Sequence, residues 1–312
     1  MILAQFWRKP EFRILIAGCL IMFFSFINLL FIEETDFVKS YSFRQLFWIM
    51  IAIVLMFVIT RIRLKTLKDV SMPVYILSLI LLILVLFVGE KISGSKSWLK
   101  FGNLLSFQPS ELAKIAFVFI IAKFYSELGV YSKSYIIKYL LGFIFLIFPF
   151  LLIIMQPDFG SAFMLLLISL SIIFSFSYNK KILILIFLVF ILFSIPMWNN
   201  VLKEYQKERI VNFINPDKDP SGYGYNAIQS KIAVGSGRIL GKGLGKSSQG
   251  KFRFLPEKHT DFAFSVWAEQ TGLLGSTIIL FLFSFIVIYP LSFLDKIKDQ
   301  FLQVFLFGMS SY

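Results

Sequence analysis

The chain of 312 residues contains little charge and almost none of two residue types that build metal sites and cross-links. Only 16% of its residues are charged, against about a quarter in an ordinary soluble domain. It has one cysteine, Cys19, and one histidine, His259. A single cysteine excludes an intrachain disulfide and a cysteine-based metal cluster, and a single histidine excludes a multi-histidine metal site. We therefore expect no metal centre built from these residue types.

The composition is instead strongly apolar. Hydrophobic residues make up 58% of the chain, phenylalanine alone contributes 39 residues, and the mean hydropathy is +0.80. A water-soluble fold cannot hide so much apolar surface, so the sequence predicts an integral membrane protein. The net charge of +13, from 31 basic and 18 acidic residues, then favours anionic membrane lipid as a partner and not nucleic acid.

Apolar runs along the chain predict an all-α polytopic membrane protein with eight complete transmembrane helices and a partial ninth. Each crossing needs about 20 residues. The predicted spans are 14–32, 45–60, 72–89, 111–127, 139–155, 159–178, 182–198 and 262–293, and the partial ninth is 301–312. The first run is too long for a signal-peptide core, so we expect an uncleaved span. We expect one integral membrane domain over residues 1–312.

Lysine and arginine in the short loops predict a cytoplasmic N-terminus. Basic residues precede span one and lie in the loops 2–3, 4–5 and 6–7, which would all share the cytoplasmic side. The large loop 199–260, between spans seven and eight, would then be extracytoplasmic. It carries eleven lysines and arginines. Long loops escape the charge rule, so these cations indicate another role.

Three polar segments stand at the outer ends of predicted spans four, six and eight. With a cytoplasmic N-terminus these spans run inward, so their N-termini would all face outward. Helix N-termini carry unpaired N–H groups and favour phosphate. The segments are 107–114 (Phe-Gln-Pro-Ser-Glu-Leu-Ala-Lys), 156–161 (Gln-Pro-Asp-Phe-Gly-Ser) and 254–264 (Phe-Leu-Pro-Glu-Lys-His-Thr-Asp-Phe-Ala-Phe).

Each segment offers a functional and a structural interpretation. Glu111 and Lys114 share a helix face, and a lysine one turn inside the bilayer indicates function unless it merely snorkels to the surface. Asp158 fits a helix N-cap better than a catalytic group. Asp261 stands among several other charged residues. A cap needs only one residue, so the last segment favours function.

The glycine-rich stretch 241–247 superficially resembles a phosphate-binding P-loop. A Walker A motif requires glycine five positions before the Gly-Lys pair, and Leu240 stands there, so we exclude ATP binding. Apolar residues in 228–233 and 239–244 leave open re-entrant or interfacial helical pieces, with a flexible loop as the alternative.

Four ordered motifs resemble those of the RodA/FtsW/SpoVE (shape, elongation, division, sporulation) family. They are 107–111 (Phe-Gln-Pro-Ser-Glu), 156–160 (Gln-Pro-Asp-Phe-Gly), 229–237 (Gln-Ser-Lys-Ile-Ala-Val-Gly-Ser-Gly) and 254–262 (Phe-Leu-Pro-Glu-Lys-His-Thr-Asp-Phe). The resemblance runs from span one to span eight, and the Gln-Ser-Lys-Ile-Ala segment looks most like RodA. The family has ten spans, so we expect a chain that is C-terminally truncated relative to it.

The resemblance implies a bacterial peptidoglycan glycosyltransferase that polymerises lipid II. Its active face would be extracytoplasmic, on the cytoplasmic (inner) membrane. Its implied partner is a class B penicillin-binding protein, which cross-links the new glycan. The family motif makes Asp261 the catalytic residue, and the same carry-over places Glu111 and Lys114 among the polar functional residues.

The implied chemistry agrees with these residue types. The hydroxyl of one lipid-linked sugar attacks the anomeric carbon of another, and undecaprenyl pyrophosphate leaves. A carboxylate within hydrogen-bond reach serves as general base, the role expected of Asp261. The pyrophosphate needs positive charge from basic side chains, helix N-termini or a divalent cation such as Mg or Mn. The predicted substrate-binding residues are Gln108, Glu111, Lys114, Asp158, Lys96, Arg238, Lys242 and Lys258.

Two other functions remain open at this point. A flippase for the lipid-linked precursor would favour charges spread through the bilayer to both faces, whereas predicted spans one, three, six and seven lack charge. A non-catalytic scaffold would carry the same motifs and recruit the penicillin-binding protein, but it would not catalyse glycosyl transfer.

Overall fold

The computed structural model describes residues 10–32, 41–92, 95–101, 105–129, 135–176, 214–219, 224–251, 255 and 258–312, with scattered residues between 184 and 211. These residues form mainly α-helices. The helices are α1 (Pro10–Ile32), α2 (Tyr41–Ile59), α3 (Leu64–Val88), α4 (Pro109–Glu127), α5 (Tyr135–Met155), α6 (Phe159–Phe176), α7 (Tyr225–Ser236), α8 (Ser248–Lys251), α9 (Ala263–Leu291) and α10 (Gln300–Ser311). Short 3-10 helices cover Pro216–Lys218 and Leu294–Lys296, and three strands are β1 (Glu90–Ile92), β2 (Ser95–Phe101) and β3 (Leu105–Phe107).

Six helical segments within the described residues are long and apolar enough to cross a membrane. They are Glu11–Ile32, Tyr41–Ile59, Leu64–Val88, Ile136–Met155, Phe159–Phe176 and Ala263–Lys296. They coincide with predicted spans one, two, three, five, six and eight, which confirms a polytopic, mostly helical protein. The predicted seventh span, 182–198, falls mainly outside the described residues. The count of eight spans and the topology therefore stay predictions.

The chain divides into two compact units. The first comprises Met1–Met56 and Phe187–Ile286, and the second comprises Phe57–Ile186 and Val287–Tyr312. Each unit has its own buried cluster. The first unit buries Ile32, Ala233, Leu255 and Val266, and the second buries a larger set that includes Phe117, Ile120, Leu165 and Ile168. The expectation of one integral domain over the whole chain stays a prediction.

Helix α4 is the central helix of the second unit. Its charges at Glu111, Lys114, Lys123 and Glu127 make it less apolar than the six candidate spans. Helices α3, α5, α6 and α10 all contact it. A helix covered on all sides by other helices has no need of a lipid-facing apolar stripe, so its charges are compatible with a position inside the helical bundle.

A small antiparallel sheet links α3 to α4, with strand order β1-β2-β3. In β2 the side chains of Ser97 and Leu99 are buried while Lys100 is exposed, the two-residue period of a strand with one covered face. The prediction of an all-helical chain is therefore corrected by these three strands. Strands β1 and β3 have three residues each and β2 has seven, so these short segments between long apolar helices were concealed by the surrounding helical signal.

Helix α9 is broken at Gly272, whose φ of 68° and ψ of −161° are not helical. The predicted span 262–293 is therefore not one continuous helix. The turn after α7 pairs the backbone groups that the break releases. The bonds are Lys242 N to Glu269 O (3.0 Å), Gly243 N to Gln270 O (3.0 Å), Leu273 N to Arg238 O (2.8 Å) and Leu274 N to Ile239 O (3.2 Å).

The loop 199–260 contains one of the two predicted helical pieces. Residues 228–233 lie in α7, whereas 239–244 form turns and not a helix. The glycines make this path accessible, because Gly241, Gly243 and Gly245 all have positive φ. A Cβ atom on Gly241 would also lie 2.2 Å from the carbonyl oxygen of Gln270. The turn therefore approaches α9 more closely than a residue with a side chain at position 241 would allow.

The predicted partial ninth span is the helix α10, which packs on α4 and α6. Asp299 is its N-cap and accepts a hydrogen bond from Leu302 N at 3.2 Å. The same carboxylate accepts from Lys68 Nζ at 2.7 Å. Burial raises the pKa of Asp299, but the Lys68 hydrogen bond and the backbone bonds lower the pKa below its ordinary value overall. Lys68 thereby ties the start of α10 to α3.

The Gly308→Ala variant is expected to destabilise the second unit. A Cβ atom on Gly308 would lie 2.5 Å from Val118 Cγ1 and 3.0 Å from Ile172 Cδ1. Overpacking of this kind costs about 1–3 kcal/mol, which thermal unfolding of the purified protein in detergent would detect. Gly18→Ala is the control, because nothing lies within 4 Å of a Cβ there. Equal midpoints for the two variants would contradict the packing of α10 on α4.

Candidate functional site

In the second unit, the N-termini of α4 and α6 are joined by side chains. Gln108 Nε2 donates to Asp158 Oδ2 at 2.8 Å. Asp158 Oδ1 accepts from Ser161 N at 3.2 Å, and Ser161 Oγ donates to Asp158 Oδ2 at 2.8 Å. Asp158 is therefore the N-cap of α6, as its position after Pro157 predicted. Gln108 and Asp158, both predicted site residues, are thus in direct contact.

Glu111 and Lys114 form an ion pair one turn into α4. Lys114 Nζ donates to Glu111 Oε1 at 2.9 Å, with the lysine side chain 6% exposed and the glutamate 42% exposed. The hydroxyl of Tyr312 donates to the other oxygen of Glu111, and its ring centroid lies 4.9 Å from Lys114 Nζ. The tyrosine ring and the carboxylate together stabilise a buried ammonium. No sequence pattern indicated this contact, because Tyr312 lies 201 positions from Glu111.

The side chain of Lys96 is hydrogen-bonded to the C-terminal end of α3. Its Nζ donates to the carbonyl oxygens of Leu86 (2.8 Å) and Phe87 (2.7 Å). These belong to the last turn of α3, where carbonyls lack helical partners. The predicted contact of Lys96 with pyrophosphate stays a prediction, and it would require the ammonium to leave these carbonyls.

In the first unit, Asp261 stands at the rim of an apolar groove. The groove has a volume of about 310 Å³. It is lined by Ile21, Phe24, Ser25, Asn28, Thr260, Asp261, Ala263, Phe264, Trp267, Ile279 and Phe283. Asp261 is exposed, and among the described residues its carboxylate has no hydrogen-bond or ion-pair partner. A carboxylate in this position is free to accept a proton from a bound ligand.

Asn28 of α1 forms the polar part of the groove. Its Nδ2 donates to the carbonyl oxygen of Ala263 at 2.9 Å, which fixes the orientation of the amide and ties α1 to the start of α9. Its Oδ1 is buried and accepts no hydrogen bond from the residues that the structure describes. A buried acceptor without a donor is costly, so Asn28 is a candidate ligand contact. A polar residue inside an otherwise apolar span was the sequence signal that could have identified it.

Glu269 is a fully buried carboxylate that the sequence analysis did not select. Its Oε1 accepts from Lys242 Nζ at 2.6 Å, from Ser248 Oγ at 2.7 Å and from Ser248 N at 3.0 Å. Its Oε2 accepts from Ser247 Oγ at 2.5 Å and from Gln249 N at 3.1 Å. The glycine-rich stretch therefore surrounds a carboxylate of its own chain. A lone acid within the apolar run of α9 was the available signal.

The three predicted cations of the large loop have different environments. Lys242 is paired with Glu269, and Lys258 Nζ donates to the carbonyl oxygen of Gly250 at 2.7 Å. Arg238 has a φ of 51°, and its guanidinium has no hydrogen-bond or ion-pair partner in the part of the chain that the structure describes. Their contacts with pyrophosphate stay predictions.

The hydrogen bond between Gln108 and Asp158 brings the N-termini of α4 and α6 together, while the outward orientation of the three N-termini stays a prediction. The third N-terminus, with Asp261, belongs to the other unit, and its place beside the first two stays a prediction. Within the described residues, no group of three or more histidine, cysteine, aspartate or glutamate side chains is arranged to hold a metal ion.

Several bacterial proteins are similar to this chain in sequence. Peptidoglycan glycosyltransferase MrdB of Escherichia coli K12 is 34% identical over 267 residues, which cover 85% of this chain and 71% of that protein. Stage V sporulation protein E of Bacillus subtilis is 36% identical over 247 residues, covering 77% and 65% of the two chains. The probable peptidoglycan glycosyltransferase FtsW of Buchnera aphidicola from Schizaphis graminum is 34% identical over 244 residues, covering 78% and 68%.

Solved structures share the fold. A chain from a peptidoglycan synthase complex, described as coordinating polymerization and crosslinking, superposes with a TM-score of 0.77 at 27% identity, covering 96% of this chain and 82% of that one. The rod shape determining protein RodA of Thermus thermophilus gives a TM-score of 0.68 at 23% identity, covering 98% and 82%, and supports the fold alone. The family model of the FtsW/RodA/SpoVE cell cycle proteins matches residues 11–312. The chain therefore belongs to the RodA/FtsW/SpoVE family of multi-pass membrane proteins.

Proposed function

We propose that this chain is a peptidoglycan glycosyltransferase that polymerises lipid II into glycan strands during cell elongation. It works at the extracytoplasmic face of the bacterial cytoplasmic membrane. Relatives that carry the name peptidoglycan glycosyltransferase, at 34% identity, support the activity. The structural observation that carries the proposal is the Asp261 carboxylate, which has no partner among the described residues and stands at the rim of an apolar groove. The proposed reaction needs a proton acceptor beside a surface that can bind the lipid part of the substrate.

Asp261 is the general base of the proposed reaction. It accepts the proton of the attacking sugar hydroxyl as the new bond between oxygen and the anomeric carbon forms. The bond between that carbon and the pyrophosphate oxygen breaks, and undecaprenyl pyrophosphate leaves with the electron pair. Asp261 is exposed, so the sugar of a lipid-linked substrate can reach its carboxylate from the aqueous side. The lipid chain of the same substrate remains in the membrane.

The groove beside Asp261 has the composition required by the lipid part of the substrate. The apolar walls that would contact the first isoprene units are formed by Phe24, Phe264, Ile279 and Phe283. Burial of apolar surface is favourable and does not depend on direction. The buried Oδ1 of Asn28 supplies an acceptor for a hydroxyl or amide N–H near the sugar. An orientating polar group in a mainly apolar pocket is typical of small-molecule sites.

The polar cluster of the second unit contains four of the proposed substrate-binding residues, Gln108, Glu111, Lys114 and Asp158. Lys114 carries a positive charge in a buried position, held by Glu111 and Tyr312. Positive charge in a site of low dielectric stabilises the charge that develops on a leaving pyrophosphate. Gln108 and Asp158 hold the N-termini of α4 and α6 together beside it. A divalent cation would add to this charge.

The proposed partner is a class B penicillin-binding protein. The family resemblance implies it, and the peptidoglycan synthase complex that contains a chain of the same fold couples polymerization with crosslinking. A separate crosslinking partner is needed on chemical grounds, because glycosyl transfer joins sugars and leaves the peptide stems unlinked.

The activity is tested with the purified chain and its penicillin-binding partner in liposomes that contain fluorescent lipid II. The expected product is a ladder of glycan strands on a gel, formed together with undecaprenyl pyrophosphate. Transfer of lipid II across the bilayer without polymer would favour the flippase instead. A stable complex with the partner but neither polymer nor transfer would favour a scaffold.

A further inference from the structure

The turn that follows α7 exposes two large apolar side chains. Ile239 is 63% exposed and Leu240 is 76% exposed. This turn is joined by backbone hydrogen bonds to the beginning of the second part of α9, from Leu273 N to Arg238 O and from Leu274 N to Ile239 O. Leu273 and Leu274 are themselves 61% and 54% exposed. Four outward-facing apolar residues are thus held together by backbone contacts.

The length of α9 places this apolar surface at a membrane boundary. The part of α9 after Gly272 runs to Leu291 and is nineteen residues long. Such a helix measures about 28 Å, at about 1.5 Å a residue, and the hydrocarbon core is about 30 Å thick. This part alone is therefore sufficient to cross the bilayer, and Leu273 and Leu274 are at one edge of it. The turn bonded to them lies at the same edge.

The same turn carries a cation without a partner. Arg238 follows Gly237, the C-cap of α7, and adopts a φ of 51°, the left-handed conformation in which helices commonly end. Its guanidinium has no hydrogen-bond or ion-pair partner among the described residues, whereas Lys242 of the same turn is held by Glu269. Residues 236–242 line an open surface depression of about 640 Å³.

We propose that residues 237–241 insert into the membrane surface and that Arg238 binds the phosphate of an anionic phospholipid. Ile239 and Leu240 would contact the acyl chains, while the arginine stem extends to the headgroup level. A planar guanidinium pairs with phosphate through two parallel hydrogen bonds. Bulk phospholipid is favoured over the substrate pyrophosphate, because the neighbouring Leu273 and Leu274 face outward from the protein.

Insertion is tested by the depth of a fluorophore. Leu240→Cys is made in a Cys19→Ser background, labelled with an NBD probe and reconstituted into phosphatidylcholine–phosphatidylglycerol vesicles that contain spin-labelled lipid. Quenching at position 240 is expected to match that of Leu274→Cys and to exceed several-fold that of Glu204→Cys, whose native side chain is 82% exposed. Quenching no stronger at 240 than at 204 would overturn the insertion.

The lipid site is tested by thermal unfolding in detergent, a measurement that does not depend on glycosyl transfer. Phosphatidylglycerol is expected to raise the midpoint of the wild type and of Lys231→Gln by a few degrees more than phosphatidylcholine does. Arg238→Gln should lose that difference. Lys231 is the matched control, an exposed cation on α7. If Arg238→Gln keeps the phosphatidylglycerol shift and loses only a shift from undecaprenyl pyrophosphate, the phosphate belongs to the substrate and the proposal fails.

Discussion

Replacing Asp261 with asparagine is expected to slow glycosidic-bond formation by about 10²–10⁴-fold, the usual contribution of a general base. The amide keeps the shape of the side chain and cannot accept the proton of the attacking hydroxyl. Because the Asp261 carboxylate is exposed and makes no hydrogen bond in the described structure, its loss should leave folding and membrane insertion intact. The measurement is the initial rate of lipid II consumption with the partner present.

A matched carboxylate separates this effect from a general change of charge. Glu204 lies in the same large loop, its side chain is 82% exposed, and among the described residues it pairs with Lys207. Glu204→Gln removes the same charge and should leave the rate within twofold of wild type, because exposed ion pairs contribute little. A rate for Asp261→Asn close to that of Glu204→Gln would exclude Asp261 as the base.

The Glu269→Ala variant is expected to lower the free energy of unfolding by about 3–5 kcal/mol, the cost of breaking a buried ion pair. The side chain is fully buried and accepts from Lys242, Ser247, Ser248 and Gln249. Without it, the glycine-rich stretch loses the acceptor around which it folds, and buried donors are left unpaired. Thermal unfolding in detergent would show the change as a large fall in midpoint.

The partner of Glu269 provides the control. Lys242 is 34% exposed, so solvent compensates part of its loss, and Lys242→Ala should destabilise the protein less than Glu269→Ala does. In the double variant the two losses should be less than additive, because both remove one interaction. Fully additive losses of unfolding free energy would show that the Glu269–Lys242 pair makes no coupled contribution to stability.

Much of the helical architecture follows from the sequence, because long apolar runs leave few alternatives in a membrane. The run at 14–32 and the run at 159–178 correspond to α1 and α6. The helix N-cap at Asp158 was also accessible, since a short acidic residue after proline is a local signal. Signals of this kind depend only on neighbours in sequence.

Features that depend on distant contacts were not accessible. The break at Gly272 exists because the turn at residues 237–243 pairs the released backbone groups, and no local pattern indicates that pairing. The same holds for Tyr312 beside Glu111. Lys96 is a further example, because its bonds to the carbonyl oxygens of Leu86 and Phe87 have no signal in the sequence, while its predicted contact with pyrophosphate stays a prediction. A charge in a sequence identifies a cation and not the partner that it holds.

Formation of the first glycosidic bond tests the proposed function most directly. Wild-type protein and Asp261→Ala are mixed with labelled lipid II and their partner, and the reaction is quenched within a single turnover. We expect the wild type to form a lipid-linked tetrasaccharide and undecaprenyl pyrophosphate in equal amounts, and Asp261→Ala to form neither while remaining folded in the membrane. Equal yields from both proteins would contradict the assignment of Asp261 and the mechanism built on it.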